Sequence, residues 1–248
     1  MDISLIIPCY NEELNLQKGV LDQIGNYTAQ HPQFKEVLIV DDGSTDSTKD
    51  LITGKYLPKF SKFKLIEKNH QGKALAVIEG IKQSKSDFVI FTDMDLATPL
   101  EESEKFIHQF SNGEKIVIGS RAHSREGAPF MRKLQSVGFM IIRNLLVGLD
   151  DITDTQCGFK GFERKAALQV ISKLQAFSEL RRATGSSVSA GFDLEFLVIA
   201  QKLGYEIKEV PVVWHHAETK NVTFLKDSVE SIRDLLAIKI YDIRGKYV

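Results

Sequence analysis

Through the first 120 residues, short apolar runs alternate with stretches whose apolar positions recur three or four apart, the sequence form of a parallel sheet with crossover helices. The runs Ile3–Pro8, Glu36–Val40, Phe63–Glu67, Asp87–Thr92 and Lys115–Gly119 predict five strands. Between them, Glu12–Tyr27, Ser47–Leu57, Gly72–Gln83 and Leu100–Asn112 carry helical spacing or helix-start residues. After residue 120 the rhythm changes. A polar stretch, Ala122–Pro129, leads into an apolar segment over 130–149, a loop over Asp150–Gly161, a helix from Arg164 to Gln175 and a polar linker through Ser189. A helix near Asp193–Leu203, a strand near Tyr205–Val213 and an amphipathic helix over Phe224–Tyr241 follow. No repeat or composition break divides the chain, so a single α/β domain over 1–248 is expected.

The 248 residues are 43% hydrophobic and 26% charged, a globular composition. A net charge of −1 argues against a nucleic-acid-coating protein. That near-zero balance hides an asymmetry. Residues 1–118 hold 13 Lys, no Arg and 18 acids, whereas 119–248 hold 19 Lys and Arg against 15 acids, and all nine arginines lie at or beyond Arg121. Two cysteines, Cys9 and Cys157, allow neither a disulfide framework nor a four-cysteine zinc site, so a reducing, cytoplasmic setting is expected. The first residues begin directly as a strand without a basic, apolar leader, and no run of about 18 uncharged apolar residues occurs.

In an open α/β sheet, ligands sit beyond the carboxyl ends of the strands. Here those ends are loaded with acids: Pro8-Cys-Tyr-Asn-Glu-Glu13, Asp41-Asp-Gly-Ser-Thr-Asp46 and Thr92-Asp-Met-Asp-Leu-Ala-Thr-Pro99. Ser44–Asp46 reads equally well as a turn that caps the next helix. Asp93-Met-Asp95 aims two hard oxygen donors at one point. Such a pair binds Mg2+ or Mn2+ incompletely and leaves positions for substrate phosphates.

The ordered motifs Pro8-Cys-Tyr-Asn-Glu12, Asp41-Asp-Gly-Ser-Thr-Asp46, Gly72-Lys-Ala74, Asp93-Met-Asp95, Gly119-Ser-Arg121 and Asp154-Thr-Gln-Cys-Gly-Phe-Lys160 resemble those of family-2 inverting glycosyltransferases. Within that family the chain is most similar to the polyprenyl-phosphate group and its dolichyl-phosphate β-glucosyl branch. Gly-Ser-Arg-Ala-His123, Phe192-Asp-Leu-Glu-Phe196 and Val210-Pro-Val-Val-Trp214 carry the closer likeness. The resemblance implies a GT-A fold, a mostly parallel central sheet with flanking helices. Residues 1–118 then form the nucleotide-sugar and metal half, and 119–248 the acceptor half. It implies that Pro8, Tyr10, Asn11 and Glu12 line a nucleotide pocket, that Asp41 or Asp42 reads base or ribose, and that Lys73 lies near the nucleotide. Asp93 and Asp95 would hold the metal on the diphosphate, Arg121 would face a phosphate, and the Asp154–Lys160 loop would shape the acceptor side. UDP-glucose is the implied donor. Mannosyl-transferring relatives often carry Gln where this chain has Ala97, which weakens the alternative of GDP-mannose. Transfer to a saccharide hydroxyl and non-catalytic sugar-nucleotide binding are further alternatives.

Arginine matches phosphate oxygens with a bidentate fork, which makes Arg121, Arg132 and Lys133 candidates for an acceptor phosphate, with Arg125 and Lys220 behind them. A phosphate monoester is largely dianionic at neutral pH, so it attacks without the base that a sugar hydroxyl needs. Asp193 and Glu195, two apart, point to different faces if helical; either one of them faces the acceptor or Asp193 caps that helix. Segment 130–149 joins many apolar residues to Arg132, Lys133 and Arg143. That composition suits an interfacial helix at a membrane's cytoplasmic face, a buried helix or a homodimer contact. His215 and His216 are adjacent on an extended segment, which argues against a shared metal.

Overall fold

The computed structural model describes residues 1–121, 140, 142–177, 190–215 and 224–247. Seven strands form one sheet in the order β3-β2-β1-β4-β6-β5-β7, to which both halves of the chain contribute. They are β1 (Ile3–Cys9), β2 (Phe34–Asp41), β3 (Phe63–Glu67), β4 (Phe88–Phe91), β5 (Ile116–Ser120), β6 (Lys160–Glu163) and β7 (Ile207–Pro211). β1 pairs in parallel with β2 and β4, β2 with β3 and β5 with β7, whereas β6 runs antiparallel to both its neighbours. Ile3, Leu5, Ile6 and Ile7 are all fully buried, as expected of a central parallel strand covered on both faces.

The helices are α1 (Glu13–Gln17), α2 (Val20–Gln30), α3 (Thr48–Leu51), α4 (Leu57–Lys59), α5 (Lys73–Gln83), α6 (Ser103–Ser111), α7 (Arg164–Ile171), α8 (Ala190–Lys202) and α9 (Phe224–Ile243). The single helix expected over Glu12–Tyr27 is two, separated at Gly19, whose φ of 79° is left-handed. The span Ser47–Leu57 is likewise divided, with one π-helical stretch, Ile52–Tyr56, between α3 and α4. The loop expected over Asp150–Gly161 ends in β6 instead. Its four residues, Lys-Gly-Phe-Glu, offer no apolar run, yet Lys160, Gly161 and Phe162 are buried between β4 and β5. Gly161 is required there, because a Cβ would lie 2.7 Å from the Phe110 ring.

Two buried carboxylates hold the framework. Glu36 accepts from the Ser4 hydroxyl at 2.8 Å and the Lys85 N–H at 2.7 Å, and pairs with Lys64 at 2.5 Å, tying β1, β2, β3 and the end of α5 together. Glu195, on α8, accepts the N–H groups of Gln175, Ala176 and Phe177 and the Tyr247 hydroxyl at 2.8–3.0 Å. Burial and the Glu195 charge raise the Tyr247 phenol far above its ordinary range.

The segment 130–149 is described at residue 140 and over 142–149, and helical over 142–147; Arg132 and Lys133 lie outside the described residues, as do Arg125, His216 and Lys220. Arg143 does not face a headgroup layer. It is buried, bonded to Asn144 Oδ1 and to the carbonyls of Leu149 and Ile152, because its fork closes the turn that follows the helix. Among the described residues no helix is long and apolar enough to cross a membrane.

Burial alone would raise the Glu36 carboxyl, but Lys64, the Lys85 N–H and the Ser4 hydroxyl outweigh it and hold it below its ordinary value of 4.5. A depressed acid contributes stability that is present above its unfolded-state pKa and lost as pH falls through its folded-state pKa. Glu36→Gln should therefore be less stable than wild type at neutral pH, with the gap closing below pH 4.5. Urea midpoints measured across that range check this, and a constant gap would refute it.

Candidate active site

The carboxyl ends of β1 and β2 lie side by side, with Cys9 in register with Asp41. The loop after β1 is tied to the loop after β2. The Asn11 N–H donates to Ser44 Oγ at 2.9 Å, Asn11 Oδ1 accepts the Thr45 N–H at 2.8 Å, and the Glu12 N–H donates to Thr48 Oγ1 at 2.8 Å. Asn11 adopts a φ of 55°, a conformation that asparagine tolerates better than most residues. Asp46 accepts the N–H groups of Thr48 and Glu13, which fits the turn reading of Ser44–Asp46, while the N-cap of α3 is Ser47, with no side-chain cap bond.

Asp41 and Asp42 are both buried and both already bonded. Asp41 accepts the Ser44 hydroxyl at 2.5 Å and the Ser44 N–H at 3.2 Å. Asp42 accepts from Gln71 N–H at 2.9 Å, Gly72 N–H at 2.7 Å and His70 Nδ1 at 2.8 Å. It thereby holds the loop before α5 and stacks the His70 ring on Tyr10, with centroids 4.0 Å apart. These contacts give both aspartates an anchoring role, Asp41 in the loop after β2 and Asp42 in the loop before α5.

Asp93 and Asp95 follow β4 directly. Met94 between them is buried, and the two carboxylates are near enough for the Asp93 charge to act on Asp95. Asp95 Oδ1 accepts the Ala97 N–H at 3.0 Å, and Leu96 takes a left-handed φ of 48°, a strained choice for leucine that fixes the tight turn. Lys73, the first residue of α5, pairs with Asp93. Burial would lower the Lys73 ammonium, but the charges of Asp93, Asp193 and Asp95 outweigh it and raise its pKa. Burial, and then the Asp93 charge, raise the Asp95 carboxyl.

Across from this pair stand groups from the second half. Arg121, just past β5, gives its guanidinium to Asp154 in a bidentate pair of 2.7 and 2.8 Å, and its N–H bonds the same carboxylate at 3.0 Å. The guanidinium carbon lies 5.7 Å from the Trp214 ring centroid. Lys160, only 2% exposed, bonds Asp193 at 2.8 Å and the Cys157 carbonyl at 2.6 Å. Asp193 is therefore no helix cap; it lies within α8, faces Lys160 and adds to the field on Lys73 and Arg121. Glu195, two residues on, points away into the core. Gly158 closes the gap between the halves, since a Cβ there would lie 2.1 Å from Asp93 Oδ2.

The site so formed unites Asp93, Asp95, Lys73, Arg121, Asp154, Lys160 and Asp193. Pro8, Tyr10, Asn11 and Glu12 stand at the carboxyl end of β1 and Asp41 and Asp42 at that of β2, and Arg132 lies outside the described residues. Sequence reading gave Lys160 and Gly158 no individual role; both stand in the Asp154–Lys160 motif, whose buried lysine was the available signal. As for metal binding, no cluster of three or more His, Cys, Asp or Glu occurs among the described residues. Two adjacent carboxylates, one raised by burial and by its neighbour's charge and one against a bare glycine, fit a cation whose other ligands come from substrate oxygens. Burial raises both thiols, Cys9 and Cys157, which makes them poor nucleophiles.

The sequence and the fold both have relatives among known proteins. Residues 4–170 match the profile of glycosyl transferase family 2. The chain is 33% identical to a dolichyl-phosphate beta-glucosyltransferase of Trichomonas vaginalis, over 96% of this chain and 71% of that one. It is 31% identical to the human dolichyl-phosphate beta-glucosyltransferase, over 99% and 77%. Among solved structures, glucosyl-3-phosphoglycerate synthase from Mycobacterium tuberculosis, in a complex with Mn2+, UDP-glucose and phosphoglyceric acid, superposes with a TM-score of 0.66 at 16% identity, over 96% and 79%. Mannosyl-3-phosphoglycerate synthase from Rubrobacter xylanophilus gives 0.65 at 14%, over 99% and 75%. These likenesses place the sheet in the GT-A fold. With the profile match running from β1 through β6 and their strand-end motifs, the chain belongs to glycosyl transferase family 2.

Proposed function

We propose that this chain is an inverting glucosyltransferase that moves glucose from UDP-glucose to a polyprenyl phosphate of the dolichyl class, with Mg2+ or Mn2+ at Asp93 and Asp95. The relatives named for that activity support the acceptor class. One observation carries the chemistry: of the four carboxylates gathered at the site, three are bonded to cations, Asp93 to Lys73, Asp154 to Arg121 and Asp193 to Lys160. A carboxylate held this way is a weak base, whereas a sugar hydroxyl needs a base to attack. A phosphate monoester, with a second pKa near about 6, brings its own negative charge and needs none.

In this reading Pro8, Tyr10, Asn11 and Glu12 line the nucleotide pocket, whose walls Asp41 and Asp42 hold in shape. A divalent cation at Asp93 and Asp95 supplies charge neutralisation for the leaving diphosphate. Lys73, kept protonated beside Asp93, adds a fixed positive charge at the start of α5. Arg121 and Lys160 draw the acceptor phosphate to the opposite side, and their carboxylate partners keep both side chains aimed. An acceptor oxygen then bonds to C1 as the bond from C1 to the UDP oxygen breaks. Attack opposite the leaving group turns the α-linked donor into a β-linked lipid product through an oxocarbenium-like transition state. Because a polyprenyl chain is confined to a bilayer, the protein meets it peripherally, at the cytoplasmic surface.

Pure protein with Mn2+, UDP-glucose and dolichyl phosphate should yield dolichyl β-glucosyl phosphate, identified by mass; product only from GDP-mannose, or only on a free saccharide, would refute the reading.

Asp95→Asn should lower kcat/KM at least about a hundredfold. In metal-free buffer the same variant should melt no lower than wild type, because at neutral pH the ionised Asp95 carries a burial and repulsion cost that Asn lacks. Full activity, or a large loss of stability, would remove the metal assignment.

Arg121→Lys keeps the charge but loses the fork, so acceptor KM should rise about tenfold or more while donor KM changes little. Arg121→Ala should in addition destabilise the fold by about 3 kcal/mol, since Asp154, 4% exposed, loses its cation. Steady-state kinetics with each substrate varied, alongside urea unfolding, separate the two effects.

A further inference from the structure

The C-terminal helix α9 has one face that the fold does not use. Leu235 and Ile238 are fully buried, and Asp234 packs against Gly191 at the start of α8. At the other end Asp242 pairs with Lys202 at 2.6 Å, so α9 runs beside α8 in the same direction. On its outer side Ile232, Leu236, Ile240 and Ile243 are 41 to 75% exposed. Their spacing of four, four and three places them in one stripe, about 16 Å long. Singly exposed apolar residues are ordinary, but an aligned row of four large ones marks a contact surface.

The charges around the stripe identify its partner. Arg233, Arg244 and Lys246 are exposed and Lys239 half-buried, and none of the four is ion-paired among the described residues. Over 232–247 the acids are Asp234 and Asp242, one buried and the other held by Lys202. An apolar row edged by four unneutralised cations is complementary to an anionic lipid surface, where apolar side chains enter the acyl boundary and cations meet headgroups. A second copy of this chain would bring the same positive charges against these.

Position agrees. The stripe begins at Ile232, beside Asp234, and Asp234 touches the start of α8, the end that carries Asp193. The stripe thus starts at the acceptor side of the active site and runs away from it.

We propose that the Ile232–Leu236–Ile240–Ile243 face of α9 is the surface by which this protein docks on an anionic membrane, presenting its acceptor side to lipid-borne phosphate. The choice of a membrane rests on the polyprenyl-phosphate reading above. The test is flotation of the whole chain with phosphatidylcholine vesicles, with and without phosphatidylserine. Two variants accompany it, Leu236→Glu/Ile240→Glu and Arg233→Glu/Lys239→Glu/Arg244→Glu. Wild type should float with the anionic vesicles and lose them at high salt, and each variant should partition at least about tenfold less. Arg233, Leu236 and Ile240 are exposed on the helix, Lys239 is half-buried and Arg244 is exposed just past its end, so circular dichroism should be unchanged. Glucosyl transfer to vesicle-borne dolichyl phosphate should fall in parallel, while transfer to a short-chain, water-soluble polyprenyl phosphate should be unaltered. Binding equal to wild type in both variants, or no binding by wild type, overturns the docking surface. So does a wild-type dimer that Leu236→Glu/Ile240→Glu converts to monomer. Should neither acceptor be glucosylated while flotation behaves as expected, the docking surface stands and the transfer reading falls.

Discussion

A charged group taken out of water must find an opposite charge or a set of hydrogen bonds, and that requirement organises the carboxyl end of this sheet. Asp93 meets Lys73, Asp154 meets Arg121, and Asp193 meets Lys160. Each pair joins elements far apart in the chain. The Arg121 pair stitches the end of β5 to the loop before β6, and the Lys160 pair stitches β6 to α8. Remove any of the three cations and a buried or partly buried carboxylate loses its counter-charge. Each pair closes within its own half of the chain, and the two halves meet where Gly158 lies against Asp93.

Asp95 is the exception, and its exception is informative. Its carboxylate has a backbone N–H and, among the described residues, no ion pair, with burial and the Asp93 charge both disfavouring ionisation. Leu96, held in a left-handed conformation beside it, adds local strain. Natural sequences keep such unfavourable arrangements where function uses them. A divalent cation would reverse the sign of the interaction at this point, turning two repelling acids into a ligand pair. The Asp95→Asn comparison without metal probes that inversion directly.

The parallel half of the fold was legible because burial on both faces forces near-continuous apolar runs, and those runs ended where the acids began. The legibility failed where tertiary context replaced local pattern. β6 is four residues long, begins with a lysine and contains a glycine, so nothing in its own composition announces a strand. It is buried because Lys160 finds Asp193 and the Cys157 carbonyl, and Gly161 leaves room for Phe110. Arg143 misled for the same reason. Within an apolar segment it suggested a headgroup contact, yet its fork satisfies two carbonyls and an amide oxygen inside the fold. Asp193 and Glu195 were separable by helical geometry, but only their partners decided which one faced the site.

The antiparallel direction of β6 is what brings the two charge populations together. A parallel strand in that place would carry its first residue to the opposite edge of the sheet. Running backwards between β4 and β5, β6 starts at the edge where β4 ends, with Lys160 in register with Phe91. Lys160 and the loop before it, Cys157 through Phe159, thus arrive against Asp93, close enough that only glycine fits at 158. The sequence asymmetry, acids without arginine in the first 118 residues and every arginine afterwards, acquires a spatial meaning through this strand. Through it Gly158 of the second half lies against Asp93 of the first, and the Asp193 charge reaches Lys73.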